Sequence, residues 1–234
     1  PPPPPPPPTV LTQTATTELY TKPFVGSGRC VKETATFLIA SIDRAAPFLR
    51  MLRHNDGSLA LFNGGSESPG WLIDHLLAQA NSKGRALNSA PHSGYERFIA
   101  NRAVLIMDTS SPQRGKNNIN QHASTLAIEF SVGKERIIVN CGARPGASNS
   151  WSQVERSTAA HSTMVVDDTN SSEIFPNRRV GRRPDNINVD RNEDNGSLWI
   201  NASHDGYRPI YGLIHQRRIY INSAGDDIRG EDLI

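Results

Sequence analysis

The chain has 234 residues and a formal net charge of +2, and 36% of its residues are apolar and 6% aromatic. This length allows one large domain or two small ones, with enough chain to bury a core. The small net charge argues against a nucleic-acid partner. No stretch approaches the roughly 18 unbroken apolar residues of a membrane-spanning helix, and no apolar signal core follows a basic start. The composition therefore indicates a loop-rich protein without a transmembrane span.

Residues 1–33 form a low-complexity segment to which no fold is assigned. The chain opens with eight prolines, and such a run favours a solvated polyproline II conformation. The Thr-rich stretch that follows shows little periodicity. At the other end, residues 230–234 are typical of a strand that has just begun. We therefore expect a chain that is cut at both ends and carries an incomplete β-domain.

Residues 34–90 carry the pattern of a short helical segment. Apolar residues recur at steps of four and three, which places them on one face of a helix. Pro47 falls inside this pattern and should bend or interrupt the helix. A second helix is predicted to begin with Ser68 as its N-cap and Pro69 at its first position. The two apolar faces comprise Leu38, Ile42, Ala45, Leu49 and Leu52 in the first helix, and Leu72, Ile73, Leu76 and Leu77 in the second.

The hydrophobic pattern of residues 91–234 predicts an antiparallel β-sandwich. After about Asn88 the hydrophobic period changes from the 3.6 of a helix to the 2 of a strand. Roughly eight short strands separated by turn residues are typical of a sandwich. The fold class is therefore predicted to be mainly β, an antiparallel β-sandwich preceded by a short α-helical segment. The strands are predicted at 103–107, 121–131, 137–139, 164–167, 187–189, 198–202 and 218–221.

A polar stretch at 168–184 is predicted to be a long loop, and it contains four arginines. A polyanion would bind such a basic patch, whereas a solvated loop is the plainer interpretation. The two cysteines of the chain lie far apart and match no metal or redox spacing. The arginines are Arg178, Arg179, Arg182 and Arg183, and the cysteines are Cys30 and Cys141.

Three linked blocks carry the most specific signal. His122 stands at the head of the predicted strand 121–131, and a hairpin then leads to the turn at 140–142. The block Arg156-Ser-Thr-Ala-Ala-His161-Ser-Thr follows. In this order the blocks resemble the heparinase II/III-like family of polysaccharide lyases. Residues 42–48 and 93–95 resemble that family's junction between a helical toroid and a β-sandwich, so the resemblance covers about 41–234.

The resemblance implies that residues 34–90 are the end of an incomplete α/α toroid and that substrate lies between toroid and sandwich. The implied reaction is β-elimination at a uronic acid unit of an acidic polysaccharide. This reaction needs neutralisation of the carboxylate beside the C5 proton, together with a base for that proton and an acid for the leaving oxygen. By resemblance, His122 is the catalytic histidine carried by the sandwich, and the partner tyrosine belongs to toroid helices upstream. Tyr95 is interpreted as a packing residue.

The sequence departs from better-known members at a zinc site. There, a second histidine on the strand, an Asp in the turn and a later histidine bind the metal. At the matching positions this chain has Ser124, Asn140 and His161. Serine and neutral asparagine are poor zinc ligands, so we predict no metal and no cofactor.

The roles of His161 and Arg156 stay open between structure and substrate. His161 is expected to hydrogen-bond within the sandwich, to Asn140 or Ser124, or else to take part in substrate binding from the cleft. Arg156 is expected to pair with Asp167 or Asp168, or else to bind a substrate carboxylate.

Three functional hypotheses follow from the sequence. The first is part of a polysaccharide lyase. The second is a non-catalytic carbohydrate-binding or structural β-sandwich. The third is an inactive truncated fragment, whose unpaired strand edges would favour self-association. The resemblance implies a bacterial protein of the periplasm or envelope, and the cytoplasm is left open.

Overall fold

A computed structural model describes residues 28–113 and 120–234, with side chains from residue 36 onward except that of Asn149. By internal contacts the chain divides into a unit at 1–41 and a unit at 42–234. Of the first unit only the start of a helix is described, so most of the predicted low-complexity segment lies outside the described residues. No helix among the described residues is long and apolar enough to cross a membrane.

Four α-helices and one 3-10 turn lie within the described part of the chain. Helix α1 is continuous through Pro47, so the predicted interruption is wrong. Helix α2 has Pro69 rather than Ser68 at its N-cap, without a side-chain cap, and the Ser68 hydroxyl instead donates to the carbonyl of Ser66. The helices are α1 (Gly28–Met51), α2 (Gly70–Ala80), α3 (Asn149–Glu155) and α4 (Arg208–Tyr211), with the 3-10 turn at Thr158–Ala160.

The described strands form two antiparallel sheets. The first sheet has five strands in the order β1-β2-β3-β4-β5, and the second has four in the order β6-β7-β8-β9. The first comprises β1 (Ser89–Ala90), β2 (Tyr95–Ala100), β3 (Ala103–Asp108), β4 (Ile128–Val132) and β5 (Glu135–Ile138). The second comprises β6 (Ile187–Asp194), β7 (Ser197–His204), β8 (His215–Ile221) and β9 (Ile228–Leu233).

The two sheets pack face to face, as predicted for a sandwich. Alternate residues of β2, β3 and β4 meet alternate residues of β7 and β8 in one buried cluster, because successive side chains of a strand point to opposite faces. This cluster includes Leu105, Met107, Phe130, Ile200 and Ile219. Strand β3 is buried along its whole length, since its other face, with Val104 and Ile106, packs against Met51 and Phe62.

Two predicted strands differ most from the observed ones. Strand β4 begins at Ile128 rather than at Gln121, because Leu126 has a left-handed φ of 64° and the N–H of Ala127 closes a turn on the carbonyl of Ser124. The predicted strand at 164–167 is only an isolated bridge between Val166 and Thr169. His122 therefore lies in the segment that leads into β4, not on the strand itself.

Candidate functional site

A pocket of about 240 Å³ opens beside His122. Its walls come from five pieces of chain: the turn after Phe62, the segment before β4, the loop at 143–146, the end of α3 and the loop at 168–184. We call it the His122 pocket. It is lined by Gly64, Ser66, Asn120, His122, Ala143, Arg144, Pro145, Gly146, Ser152, Glu155, Arg156 and Arg178.

The backbone of His122 is held from both sides. Its N–H donates to Asn63 Oδ1 at 3.2 Å, and the N–H of the next residue, Ala123, donates to the carbonyl of Arg156 at 2.9 Å. Gly64 lies against the imidazole, since a Cβ added there would be 3.8 Å from His122 Nε2 and 3.0 Å from the carbonyl oxygen of Asn120. The Nε2 edge of a ring that is otherwise buried thus forms part of the pocket wall.

His122 and His161 form a buried pair. Their Nδ1 and Nε2 atoms are 3.1 Å apart, and the ring centroids are separated by 5.1 Å. Burial lowers the pKa of His122 to about 3, with smaller contributions from His161 and Arg156. Burial likewise lowers the pKa of His161 to about 4, although Glu129 opposes this shift. Both imidazoles are therefore neutral near neutral pH.

Three guanidinium groups give the pocket its positive character. Arg156 is 2% exposed, its Nε donates to the carbonyl of Gln121 at 2.7 Å, and burial, then the nearby Arg178, lowers its pKa to about 10. Arg178 donates to Asn120 Oδ1 at 3.1 Å. Arg144 lies 5.9 Å from the ring centroid of Trp151. One carboxylate, that of Glu155, lines the same pocket, so positive charge predominates.

The four clustered arginines predicted as one basic patch have separate environments. Arg178 lines the His122 pocket. Arg182 donates to the carbonyls of Asn170, Ser171 and Gly206, and Arg183 donates to the carbonyl of Pro112. The last two therefore hold the loop at 168–184 in place. The loop is neither a uniform anion-binding patch nor simply solvated.

Asn63 is the residue that sequence reasoning missed. Its Oδ1 accepts from the backbone of His122, and its Nδ2 donates to Tyr95 Oη at 2.9 Å and to Asp108 Oδ2 at 3.0 Å. Asn63 has a left-handed φ of 47°, a conformation that asparagine tolerates. The sequence signal was the Asn-Gly pair that follows Phe62, which marks a turn but not its partners.

The predicted packing residue Tyr95 lies between two aromatic rings. Its ring centroid is 5.8 Å from that of Phe48 and 5.7 Å from that of Phe62. Burial, and secondarily the charge of Asp108, raises the pKa of the Tyr95 hydroxyl well above its usual range. The same hydroxyl accepts from Asn63. Tyr95 therefore packs the layer behind the site and supports Asn63.

The positions that match the family's zinc ligands do not fit a zinc ion. Ser124 Oγ donates to Asp108 Oδ2 at 2.6 Å, and Asn140 Oδ1 accepts from the backbone of Ser162 at 2.9 Å. Asn140 Nδ2 also donates to Glu129 Oε1 at 3.2 Å. Within the described ranges, no group of three or more His, Cys, Asp or Glu residues is placed to hold a metal.

Comparison with family models matches residues 82–234 to the family described as "Heparinase II/III-like, C-terminal". Among curated proteins, FtsZ-localized protein C of Caulobacter vibrioides is 32% identical over 201 residues, a match that covers 83% of this chain. The chain spans about a third of that relative, 34% of its length.

Solved heparinases share the fold. A heparinase III, the BT4657 gene product, aligns with a TM-score of 0.54 at 12% identity, over 81% of this chain and 31% of that structure. The heparan sulfate lyase HepC of Pedobacter heparinus aligns with a TM-score of 0.52 at 15% identity, over 83% of this chain and 31% of that structure. At such low identity the alignments establish the fold alone.

Proposed function

Since the chain belongs to the heparinase II/III-like C-terminal domain family, we propose that it supplies one wall of a cleft in which an acidic polysaccharide is bound and cleaved by β-elimination. One observation carries the proposal: the Nε2 edge of His122 lies at a pocket that three arginines also line. In a uronate sugar the reacting carbon lies next to a carboxylate. The imidazole can act at that carbon while the guanidinium groups bind the carboxylate.

The reaction makes demands that the pocket residues can share. The C5–H bond breaks, its electron pair forms the C4–C5 double bond, and the C4–oxygen bond breaks as the leaving oxygen takes a proton. Negative charge develops on the uronate carboxylate meanwhile, so fixed positive charge and hydrogen-bond donors there lower the barrier. Arg144, Arg156 and Arg178 provide the charge. His122 is the catalytic residue that this chain contributes.

In the proposal, the remaining catalytic residues lie outside this chain. The chain spans only about a third of the relatives described above. By family resemblance, a tyrosine on the helical toroid completes the acid–base chemistry from the opposite wall. In this arrangement Arg156 and His161 support the binding site, Arg156 from the pocket wall and His161 through its contact with His122.

The test uses the protein in its natural full length. Uronate-containing polymers, among them glycosaminoglycans and alginate, are added, and ultraviolet absorbance follows the unsaturated product. We expect turnover of at least one polymer. We expect His122→Ala to lower kcat by about 100-fold or more, the usual contribution of a positioned acid–base group.

His75→Ala is the matched control, because His75 is an exposed imidazole on α2. It should leave turnover unchanged, and circular dichroism should show that both variants fold. If the wild-type protein acts on none of these polymers, the enzymatic proposal is wrong. Full activity in folded His122→Ala would remove His122 from the mechanism.

A second candidate function is glycan binding without turnover. His122 is only 2% exposed, and the curated relative is named for its localisation with FtsZ rather than for a lyase activity. The same arginines would then hold an acidic glycan that is not cleaved. Saturable binding of a glycan without any unsaturated product would favour this candidate over the first.

A further inference from the structure

The outer face of the second sheet carries an exposed aromatic pair. On β7 and β8, Leu198, Ile200 and Ile219 point into the core between the two sheets. Because successive side chains of a strand alternate, Trp199 and Tyr220 point to the opposite face. The two are direct cross-strand partners, and their ring centroids are 4.4 Å apart. Trp199 is 55% exposed, although β7 is an inner strand of its sheet.

The neighbours of the pair hold the rings in place and leave much of the indole in contact with solvent. Tyr220 has Trp199 beside it on β7 and Arg229 beside it on β9. The Arg229 guanidinium lies 5.8 Å from the centroid of the tyrosine ring. On its other side Trp199 is paired with Asn192 of β6, a short polar residue. A shallow depression of about 260 Å³ lies beside the two rings.

Polar side chains border the rings on the same face. The next row across the four strands consists of Asp190, Asn201, Arg218 and Glu231. Carboxylates accept hydrogen bonds, a guanidinium donates them, and an amide does both. An apolar ring bordered by such groups is complementary to a sugar, whose C–H face is apolar and whose rim carries hydroxyl groups.

The charges of this face favour a sugar without a carboxylate. Arg218 pairs with Glu231 at 3.3 Å, and Arg229 pairs with Asp227 at 2.6 Å. Both guanidinium groups therefore already face carboxylates, and the exposed Asp190 adds a further negative charge. A uronate would be repelled here, whereas a neutral hydroxyl group finds acceptors.

We propose that this face binds an uncharged chain of β-linked pyranose units in the gluco configuration. In such a unit the hydroxyl groups are equatorial, so both faces of the ring present C–H bonds and one face lies flat on the indole of Trp199. Hydroxyl groups at the rim donate to Asp190 and accept from Arg218. The depression shares no lining residue with the His122 pocket, and the inference does not rest on the proposed reaction.

A protein partner fits this face less well. Specific protein interfaces bury about 800 Å² on each partner around an apolar core. The exposed apolar surface beside the depression comes mainly from Trp199 and Tyr220, and charged or amide side chains surround it. A single sugar unit covers one indole, whereas a protein would have to desolvate the surrounding charges as well.

The test is a calorimetric titration of the full-length protein with cellohexaose, an uncharged chain of β-1,4-linked glucose. We expect saturable binding that weakens by about tenfold or more in Trp199→Ala, because the stacking surface is lost. Trp199→Phe keeps a smaller ring and should weaken binding less. Trp71→Ala is the matched control, since Trp71 is an exposed indole on α2, and it should bind like the wild type. Circular dichroism should show that all three variants fold.

A charged analogue tests the preference for an uncharged sugar. A hexamer of β-1,4-linked glucuronate has the same backbone as cellohexaose but carries a carboxylate on every unit. In ¹H–¹⁵N spectra the indole N–H signal of Trp199, assigned with Trp199→Phe, should shift with cellohexaose and stay in place with the glucuronate hexamer. An equal shift with both would contradict the charge argument.

Three results would overturn the proposal. The first is no binding of cellohexaose, and the second is unchanged affinity in folded Trp199→Ala or equal weakening in Trp71→Ala. The third is concentration-dependent self-association in sedimentation that Trp199→Ala abolishes, without a response of the indole signal to cellohexaose. That last result would identify the face as a protein interface.

Discussion

Arg178 and Arg179 are neighbours in sequence but differ in environment. Arg178 lines the His122 pocket and donates to Asn120. Arg179 is exposed, as Arg178 is, but it is not among the residues that line this pocket. At the scale of single residues, charge alone therefore does not identify a binding group. The direction and the neighbours of each side chain decide its role.

This difference gives a matched pair of substitutions. Arg178→Ala should weaken binding of a uronate oligosaccharide by about tenfold or more, because a hydrogen bond to a charged group contributes about 1.5–3 kcal/mol. Arg179→Ala removes the same formal charge and should change affinity little. Isothermal titration calorimetry on the two variants measures both. Equal weakening would mean that overall charge, not the pocket, binds the glycan.

At the scale of elements, the turn between β1 and β2 depends on a glycine. Gly94 has a left-handed φ of 71°, and a Cβ added there would lie 2.5 Å from the backbone Cα of Ser110. The carbonyl of Gly94 also accepts from the N–H of Thr109, just after β3. Gly94 thus allows two pieces of backbone to approach at the end of the first sheet.

Gly94→Ala should lower the free energy of unfolding by at least about 2 kcal/mol, since a left-handed conformation and a backbone clash coincide. Gly212→Ala is the control: Gly212 has a φ of 74°, but nothing lies within 4 Å of an added Cβ. It should cost only the conformational penalty of about 1 kcal/mol. Urea unfolding of the two variants gives the comparison. Similar costs for both would show that the close approach is unimportant.

At the scale of the whole molecule, buried neutral histidines link stability to pH. Burial lowers the pKa of His122 and His204 to about 3 and that of His161 to about 4. His204 lies in the second sheet, where its Nε2 meets His215 Nδ1 at 3.1 Å and its Nδ1 accepts from the N–H of Gly206. Protonation of these rings therefore accompanies unfolding.

The sign of the pH effect follows from these values. An unfolded histidine has a pKa near 6.5, so below that pH the unfolded chain binds protons that the folded chain does not. Stability is then highest above about pH 6.5 and falls as pH decreases. Asp108 acts in the opposite direction, because burial raises its pKa to about 6 and the folded state gains a proton there.

Near pH 5, the three imidazoles bind protons on unfolding and the carboxyl of Asp108 releases one. The net uptake is about two protons. The free energy of unfolding should therefore fall by about 3 kcal/mol per pH unit between about pH 6 and 4.5. Urea unfolding at several pH values measures this slope. The exposed His75→Gln variant should show the same slope as the wild type, and a flat profile would contradict the assignment of neutral buried rings.

The sequence by itself determined the fold class, and the reason is local. Alternating apolar residues in strands such as β4 and β7 encode which face meets the other sheet, and the two sheets pack on those faces. The linked blocks around His122 and His161 pointed to the family that residues 82–234 match. In α2, however, Ile73 and Leu77 are buried while Leu72 and Leu76 are exposed. Periodicity identifies the apolar face of a helix, but only tertiary packing decides how much of that face is buried.

The tertiary structure alone decided how the candidate site is built. The contact of His122 with His161 spans 39 residues of sequence, and its anchor on Asn63 spans 59. The left-handed turn at Leu126 takes His122 off the strand on which a regular pattern had placed it. Local propensity carries no information about such partners. They are fixed by the packing of the first sheet between the second sheet and the layer that contains Phe62.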